Sequence, residues 1–155
     1  MSPIAEETYT IAAIQNGSVI DHIPAGQGMR LFRLLQLEKY KVTIGLQYPS
    51  EVMGEKDIVK VEGLEISEEE SSRIAIFAPS TTVAIIRDGE VVQKFQVPLP
   101  ETIHNVIICP NPRCISNHEA TSRTFSVLQV RKKIMLCCHY CERTYAHHEI
   151  NEYEV

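Results

Sequence analysis

Two short stretches decide the fold of the C-terminal part of this chain: Cys109-Pro110-Asn111-Pro112-Arg113-Cys114 and Cys138-His139-Tyr140-Cys141. Each stretch presents two thiols from one tight turn, and residues 115–137 separate the two pairs. This layout is typical of a structural zinc site in which each pair lies on a knuckle between strands. Four sulfurs fill a tetrahedral shell, so the metal should stabilise the fold and do no chemistry. We expect one Zn²⁺ per chain, held by Cys109, Cys114, Cys138 and Cys141.

A fifth cysteine, Cys137, competes for the same site. Adjacent strand residues point to opposite faces, so Cys137 and Cys138 do not serve together easily. Cys138 has the two-residue spacing to Cys141 that knuckles prefer, and we therefore expect Cys137 to be a small core residue. Ligation by Cys137 is the minority alternative. A rubredoxin-like iron site is another, although the first pair lacks the usual spacing and glycine. The nearby histidines are expected to be exposed or to lie beside the ligands: His118, His139, His147 and His148.

The composition restricts the class of protein. The chain has 155 residues, of which 44% are hydrophobic, enough for a packed core, but only 6% are aromatic and none is tryptophan. Its start lacks a basic segment followed by an apolar run, and no apolar stretch is long enough for a membrane span. Cysteine pairs that bind a metal, rather than forming disulfides, are typical of a reducing compartment. We therefore expect a soluble cytoplasmic protein. The net charge of −5 argues against general binding of nucleic acid.

Prolines at positions 98 and 100 indicate an extended connector between two domains. We place the first domain at residues 1–99 and the second at residues 100–155. The overall class is α+β.

In the first domain the pattern predicts two helices and several strands. One helix follows Gly28, and the other opens with a capping box at Ser67-Glu68-Glu69-Glu70. Asp88-Gly89 predicts a tight hairpin turn. We predict strands at residues 9–14, 18–24, 40–46, 58–66, 82–87 and 90–97, with a polar loop at 49–57. The order β-α-β-β-α-β with a final strand indicates a ferredoxin-like domain.

The second domain reads as a small all-β, zinc-ribbon-like unit. Residues 125–130 and 134–138 form a hairpin around Arg131-Lys132-Lys133, and residues 144–150 extend the sheet. A segment of this size has a thin core, so its folding should depend on the metal.

Polar residues interrupt strands of the first domain that would otherwise be apolar: Asp21, His22, Lys60 and Lys94. Alternation places Lys60 on one face with Ile58 and Glu62, and Lys94 on one face with Val92 and Gln96. If these faces form the helix-free side of the sheet, the cations can converge on a triphosphate, and Asp21 can bind ribose hydroxyls. The alternative is that they are ordinary solvated sheet positions, which pattern alone favours.

Several motifs together resemble the regulatory-chain family of aspartate carbamoyltransferase. They are Val19-Ile20-Asp21-His22-Ile23-Pro24-Ala25, Thr43-Ile44-Gly45-Leu46, Met53-Gly54-Glu55-Lys56-Asp57, Leu99-Pro100-Glu101, and the two cysteine stretches with Ile115-Ser116 and Glu142. The resemblance runs from about residue 8 to residue 148. It implies a non-catalytic subunit of a pyrimidine-biosynthesis enzyme, with a nucleotide-effector domain followed by a zinc domain that contacts the catalytic chain.

The resemblance also implies site residues and partners. CTP and ATP compete for one allosteric site in this family, with UTP as a third candidate effector. The residues that correspond by motif are Ala13, Ile14, Val19, Asp21, His22, Lys60, Ile86, Val91 and Lys94. Regulatory dimers are expected to bridge catalytic trimers. Three residues at or beside the knuckles are candidates for contacting the catalytic chain: Asn111, Glu142 and Arg143.

Two other functions compete with this interpretation. A zinc-ribbon nucleic-acid-binding protein is supported by the basic hairpin tip at residues 131–133, but the acidic balance and the lack of interleaved aromatic residues argue against it. A stand-alone enzyme lacks support because no nucleophile or acid–base group remains once zinc takes the thiolates.

Overall fold

The computed structural model describes residues 13–151 and 153–154. The first domain contains five strands, β1 to β5, and two helices, α1 and α2. Their bounds are β1 Gly17–Pro24, α1 Gly28–Leu34, β2 Val42–Ser50, β3 Gly54–Glu62, α2 Glu68–Ser71, β4 Thr82–Arg87 and β5 Glu90–Gln96. The strands form one antiparallel sheet in the order β2-β3-β1-β4-β5. A 3₁₀ turn at Leu37–Lys39 follows α1.

The second domain is a four-stranded antiparallel sheet in the order β6-β7-β8-β9. Its strands are β6 Thr102–His104, β7 Thr124–Val130, β8 Lys133–Cys138 and β9 Thr144–Ala146. Two 3₁₀ turns complete it, at Ile115–Asn117 and His147–Glu149. Within the described residues no helix is long and apolar enough to cross a membrane.

Both predicted hairpins are confirmed. Asp88 and Gly89 have φ angles of 51° and 78°, and Arg131 and Lys132 have φ angles of 49° and 64°. Two consecutive left-handed residues make the type I′ turn, whose twist matches that of paired strands. Asp88-Gly89 prefers this turn locally, whereas Arg131 and Lys132 take left-handed angles that such residues rarely adopt, so the pairing of β7 with β8 imposes them.

Several predicted bounds are wrong. The predicted loop at 49–57 is mostly strand, because β2 runs to Ser50 and β3 starts at Gly54. β3 also ends earlier than predicted, since Gly63 turns the chain with a φ of 78°. The predicted strand at 9–14 falls mostly outside the described residues, and Ala13 and Ile14 are not in a strand.

Helix α2 is much shorter than its pattern predicted. The capping box is present, because the Ser67 hydroxyl accepts from the Glu70 backbone N–H and the Glu70 carboxylate accepts from that of Ser67. The helix ends at Ser71, where the hydroxyls of Ser71 and Ser72 donate to the carbonyls one turn back at 2.8 and 2.6 Å. Such side-chain bonds compete with helical hydrogen bonding. The following turns still bury Ile74 and Phe77, as predicted.

One face of the first sheet packs against the helices. Ile20, Val59, Val83 and Ile85 lie on this face and are almost completely buried together with Leu31 of α1. Burial of side chains of this size stabilises a fold by about 2 kcal/mol each. The opposite face of the sheet is left for solvent or a ligand.

A buried carboxylate holds the connection from β1 to α1. Asp57 of β3 is completely buried, and its oxygens accept hydrogen bonds from the backbone N–H groups of Gly26, Gly28 and Gln47 at 2.8–2.9 Å. A side chain at position 28 would meet Asp57 at 3.0 Å. Glycine there allows the close approach that these bonds require.

The two domains meet near the C-terminus. Tyr153 forms an isolated antiparallel bridge with Ile107 of the second domain, and its ring packs edge-on against Phe77 of the first at 5.6 Å. Buried residues of both domains belong to one continuous apolar cluster. The second domain therefore has support beyond its own thin core.

Candidate functional site

The four predicted cysteine ligands come together in the second domain. All four sulfurs lie within 4.8 Å of one another, and the pairs Cys109–Cys141 and Cys114–Cys138 are each 3.7 Å apart. A disulfide would bring the sulfurs to about 2.0 Å. In a tetrahedral zinc–thiolate site with bonds of about 2.3 Å, neighbouring sulfurs are about 3.8 Å apart. The cluster thus has the size and the donor set of a tetrahedral thiolate-bound metal.

Backbone geometry shapes both knuckles. In the first, the Cys114 N–H donates to the Asn111 carbonyl at 3.0 Å, and the Asn117 amide donates to the carbonyls of Cys109 and Asn111 at 2.9 and 2.8 Å. In the second, Glu142 has a φ of 59°, and its N–H donates to the Cys138 carbonyl at 2.9 Å. These bonds aim the sulfurs inward without help from a long helix or strand.

The four cysteine thiols can all be ionised at once only if a cation binds between them. Burial and the neighbouring sulfurs raise the pKa of Cys109 to about 12, and burial also raises the pKa of Cys138. Burial acts the same way on Cys114, but hydrogen bonds from the Ser116 hydroxyl and backbone N–H outweigh it and lower its pKa to about 7. A bound divalent metal removes this mutual repulsion, since thiolates are the form that binds. The residues fit such a metal.

Cys137 does not take part, and its prediction as a core residue is wrong. It is half-buried, on the face of β8 opposite to Ile134, Leu136 and Cys138. Its sulfur faces the Glu142 carbonyl at 3.8 Å. The same alternation that keeps Cys137 away from the metal cluster thus also keeps it away from the core.

The histidines near the knuckles lie outside the ligand group found among the described residues. His118 has its Nε2 2.7 Å from the Pro112 carbonyl, and His139 has its Nε2 2.7 Å from the Ser126 hydroxyl. His118 therefore contacts the first knuckle, and His139 contacts β7, the strand paired with β8.

The three candidate interface residues differ in exposure. Asn111 is buried, and its side-chain oxygen accepts from the Arg113 backbone N–H at 3.1 Å, inside the first knuckle. Glu142 and Arg143 are exposed on the second knuckle. Of the three candidates, Glu142 and Arg143 are therefore the ones whose side chains are accessible to a partner in the isolated chain.

On the first domain, strand pairing brings the two predicted lysines into one row. Val19 of β1 lies opposite Lys60 of β3 on one side and opposite Ala84 of β4 on the other. Ala84 in turn lies opposite Lys94 of β5. Three strand spacings separate Lys60 from Lys94, or about 14 Å. The row lies on the face turned away from the buried residues of the sheet.

A bulge changes which valine of β5 joins this face. The register of β4 and β5 shifts between Ile85 and Ile86, so that Val91 lies opposite Ile86. The alternation predicted from sequence had assigned Val92 to this face. On its other side Ile86 lies opposite Gly17 of β1. Position 17 has no room for a side chain, because an added Cβ would lie 1.9 Å from the Val61 carbonyl oxygen of β3. Ile86 and Val91 therefore form an apolar pair on this face, beside the row and next to the pair of Ala84 and Lys94.

Asp21 and His22 lie at a second bulge, between Ile20 and Ile23 of β1. His22 has a φ of 57°, its backbone N–H donates to the Asp21 carboxylate at 2.6 Å, and its Nδ1 is 3.0 Å from the Thr82 hydroxyl. Because His22 is left-handed, the side chains of β1 no longer alternate between the two faces of the sheet at this point. The bulge therefore brings the His22 ring next to Thr82, the residue paired with Asp21.

Sequence reasoning missed Lys56. Its ammonium is 2.9 and 3.2 Å from the two oxygens of Asp21. Burial raises the pKa of Asp21, but the hydrogen bond and charge of Lys56 and the His22 N–H outweigh it, so the pKa falls below its usual value of 3.8. Lys56 precedes Lys60 by four residues on one strand and so shares its face. The sequence pattern did not reveal Lys56 as a site residue because β3 was predicted to begin at residue 58, after Lys56.

Ala13 and Ile14 lie just before β1. Ala13 is exposed, Ile14 is buried, and the Gln15 carbonyl accepts from the Gly89 N–H at 2.9 Å. The segment is thereby tied to the β4–β5 turn, beside Ile86 and Val91.

Two family models match the sequence. The model described as "Aspartate carbamoyltransferase regulatory chain, allosteric domain" matches residues 9–98, and the one described as "Aspartate carbamoyltransferase regulatory chain, metal binding domain" matches residues 101–151. The chain belongs to the family of aspartate carbamoyltransferase regulatory chains. Family membership confirms the resemblance seen in the motifs and decides against the stand-alone enzyme. A regulatory chain is the non-catalytic subunit.

Relatives with the name "Aspartate carbamoyltransferase regulatory chain" cover nearly the whole sequence. The one from Pyrococcus abyssi is 47% identical over 144 residues, 90% of this chain and 94% of the relative. The one from Thermococcus kodakarensis is 45% identical over 152 residues, 96% of each chain. The one from Vibrio parahaemolyticus is 42% identical over 152 residues, 96% of this chain and 99% of the relative. Both domains of the regulatory-chain family are therefore present.

Proposed function

We propose that this chain is the allosteric regulatory subunit of an aspartate carbamoyltransferase, binding CTP and ATP on the first sheet and the catalytic chain through a zinc domain. The observation that carries this proposal is the row of Lys60, Val19, Ala84 and Lys94 on the face of the sheet away from the core. The ion pair of Asp21 with Lys56 on the same sheet adds support, because both side chains are largely shielded from solvent, with exposed fractions of 27% and 21%. The family match to an allosteric domain over residues 9–98 supports an effector site within this domain.

Each residue has a distinct role in the proposed nucleotide site. The ammonium groups of Lys60 and Lys94 bind the triphosphate, because lysine acts as a compact positive charge toward phosphate. Asp21 accepts from the ribose hydroxyls, and His22 is held beside it by Thr82. Val19, Ile86 and Val91 contact the base, whose edge is read by backbone groups of Ala13 and Ile14. Lys56, already paired with Asp21, adds a third cation near the phosphates.

The two domains of the proposal extend over residues 1–99 and 100–155, with the first ferredoxin-like. The strand order β2-β3-β1-β4, with β1 antiparallel to both neighbours, supports that assignment, and β5 is an additional edge strand. The second domain is the zinc-ribbon-like unit.

Zinc is the proposed metal. Four thiolates in a closed shell are the donor set that structural zinc prefers, and the sulfur separations of 3.7 Å suit its bond lengths. Bound zinc would neutralise part of the thiolate charge and hold both knuckles in place. The loops that carry Asn111, Glu142 and Arg143 would then be ordered for contact with the catalytic chain.

The proposed assembly joins catalytic trimers through regulatory dimers that pair by their first domains. Binding of an effector and the arrangement of the catalytic chains then share one coupling free energy, typically about 1–3 kcal/mol, and the effect is reciprocal. CTP inhibits in this scheme by preferring the less active arrangement. A nucleotide with equal affinity for both arrangements would shift nothing.

The test is carbamoylaspartate formation by the cognate catalytic chain at subsaturating aspartate, across a CTP titration, with and without the zinc-loaded regulatory chain. We expect CTP to change the rate only when this chain is present. A rate that is independent of CTP, from a complex in which both chains co-elute, would refute the effector role and leave a structural one. ATP and UTP titrations in the same assay decide which nucleotides share the site.

A further inference from the structure

A cleft between the two domains has the size and the lining of a small-molecule site. Its volume is 690 Å³, and ligand pockets of about 300–1,000 Å³ occur preferentially at domain interfaces. The first domain contributes the end of α1, the segment from β3 to α2 and the residues after α2, and the second domain contributes β6 and its neighbours. A molecule bound in this cleft would contact both domains at once.

The most buried residues of the cleft are apolar. Ile66, Ile103 and Val106 line it and have exposed fractions of only 2–4%. Leu35 and Leu64 also line it and are half-buried. Together these five residues form an apolar floor to which both domains contribute. This floor favours a ligand with an apolar group, because burial of apolar surface is favourable.

The exposed rim of the cleft carries charges of both signs. Glu69 and Arg73 line the cleft, and within the described structure neither side chain forms an ion pair or a hydrogen bond. Glu70 also lies on the rim, but its carboxylate is held by Ser67 in the capping box. One carboxylate and one guanidinium therefore remain available, and they favour a ligand that carries both charges.

His104 adds a hydrogen-bonding group from the second domain. Its Nδ1 is 3.1 Å from the Thr124 hydroxyl, which orients the ring and leaves its Nε2 without a partner among the described residues. A ligand carboxylate bound by Arg73 and by His104 would be held from both sides of the cleft.

We propose that this interdomain cleft is a second ligand site, which binds a zwitterion with an apolar side chain, such as an apolar α-amino acid. Arg73 and His104 bind the carboxylate, Glu69 binds the ammonium group, and the apolar floor contacts the side chain. No residue of the proposed nucleotide surface lines the cleft. The inference is therefore independent of the proposed nucleotide site.

The experiment titrates the full chain with L-leucine and L-phenylalanine and follows the backbone amides by NMR. We expect saturable shift changes around Ile66 and around Ile103, hence in both domains, with a Kd of about 1 mM or below. Two matched probes separate the charges: N-acetyl-L-phenylalanine lacks the ammonium group, and L-phenylalaninamide lacks the carboxylate. Each should bind about tenfold more weakly than L-phenylalanine, because each loses hydrogen bonds to a charged group.

Variants assign each charge to its residue. Arg73→Gln should weaken the binding of L-phenylalanine about tenfold but leave that of L-phenylalaninamide unchanged, and Glu69→Gln should show the converse pattern with N-acetyl-L-phenylalanine. Both positions are exposed, so we expect both variants to fold. Arg33→Gln and Glu68→Gln are the matched controls, because these exposed residues do not line the cleft. Both controls should bind like wild type.

Three results would overturn the proposal. The first is the absence of saturable shift changes with either amino acid. The second is an equal loss of affinity in Arg73→Gln and Arg33→Gln, which would reflect net charge alone. The third is a set of shift changes confined to β1, β4 and β5, which would place the amino acid on the proposed nucleotide surface.

Discussion

The guanidinium carbon of Arg30 lies 4.7 Å from the centre of the Tyr153 ring. Arg30 belongs to α1 of the first domain, and its guanidinium also faces Phe77 at 5.7 Å, while its Nη1 donates to the Gln27 side chain at 2.9 Å. Tyr153 is bridged to Ile107 of the second domain. A cation between two aromatic rings therefore joins the domain of the proposed nucleotide site to the domain of the metal centre.

Arg30→Met should weaken this junction, because it keeps the apolar stem but removes the cation–aromatic attraction. We expect the free energy of unfolding to fall by about 1 kcal/mol, as for a partly buried cation–π contact. In the proposed holoenzyme the response to CTP should also decrease. Urea unfolding and the CTP titration measure the two effects. Arg33→Met is the matched control, since it removes the same charge from an exposed position of the same helix; equal effects from both variants would contradict the role of the junction.

Removal of the metal should unfold the second domain before the first. The cysteine cluster connects both knuckles to β8, and four sulfurs without a cation repel one another once ionised. We expect a chelator to abolish amide protection in β6 to β9 and to release the proposed catalytic partner. Hydrogen exchange read by mass spectrometry follows both domains at once. Amide protection in β1 to β5 is the internal control. Unchanged amide protection in β7 and β8 after chelation would contradict the prediction.

Lys94→Ala should weaken the binding of CTP and ATP at least tenfold, or about 1.4 kcal/mol. The loss is expected because Lys94 is exposed at the end of the row and, in the proposal, contributes one of the phosphate-binding charges. Isothermal titration calorimetry gives the affinities, and size exclusion with the catalytic chain tests assembly, which should be intact. Lys39→Ala serves as the control, because Lys39 is an exposed lysine on the Leu37–Lys39 turn. Wild-type affinity in Lys94→Ala would remove Lys94 from the site.

Asp21 should make stability depend on pH in the acid range. Its pKa in the folded chain lies below the usual 3.8, chiefly because the Lys56 hydrogen bond outweighs the effect of burial. The stabilising contribution is therefore fully present above pH 3.8 and is lost as the pH falls through the lower folded value. Asp21→Asn should be less stable than wild type at pH 6, and the difference should shrink below pH 4.

Urea unfolding across that pH range checks this sign. The control is Asp88→Asn, at an exposed left-handed turn position that asparagine also accepts. A difference between wild type and Asp21→Asn that grows as the pH falls would show that Asp21 does not gain from its ion pair.

The cysteine cluster could be predicted almost completely from sequence, whereas the proposed nucleotide surface could not. The spacing of Cys109, Cys114, Cys138 and Cys141 is a local property, and two short turns are enough to bring each pair together. The surface depends on which strands become neighbours. Pattern alone left Lys60 and Lys94 as ordinary exposed residues, and it missed Lys56 because the beginning of β3 has no apolar residues to mark it.

The sequence by itself determined the Asp88-Gly89 turn, the cap at Ser67 and the two cysteine pairs, because each depends on residues a few positions apart. The tertiary structure decided the strand order, the bulges at Ile20/Ile23 and Ile85/Ile86, and the early end of α2. Bulges and strand order result from the pairing of distant segments, which no local propensity specifies. They nevertheless bring His22 beside Thr82, and Val91 opposite Ile86.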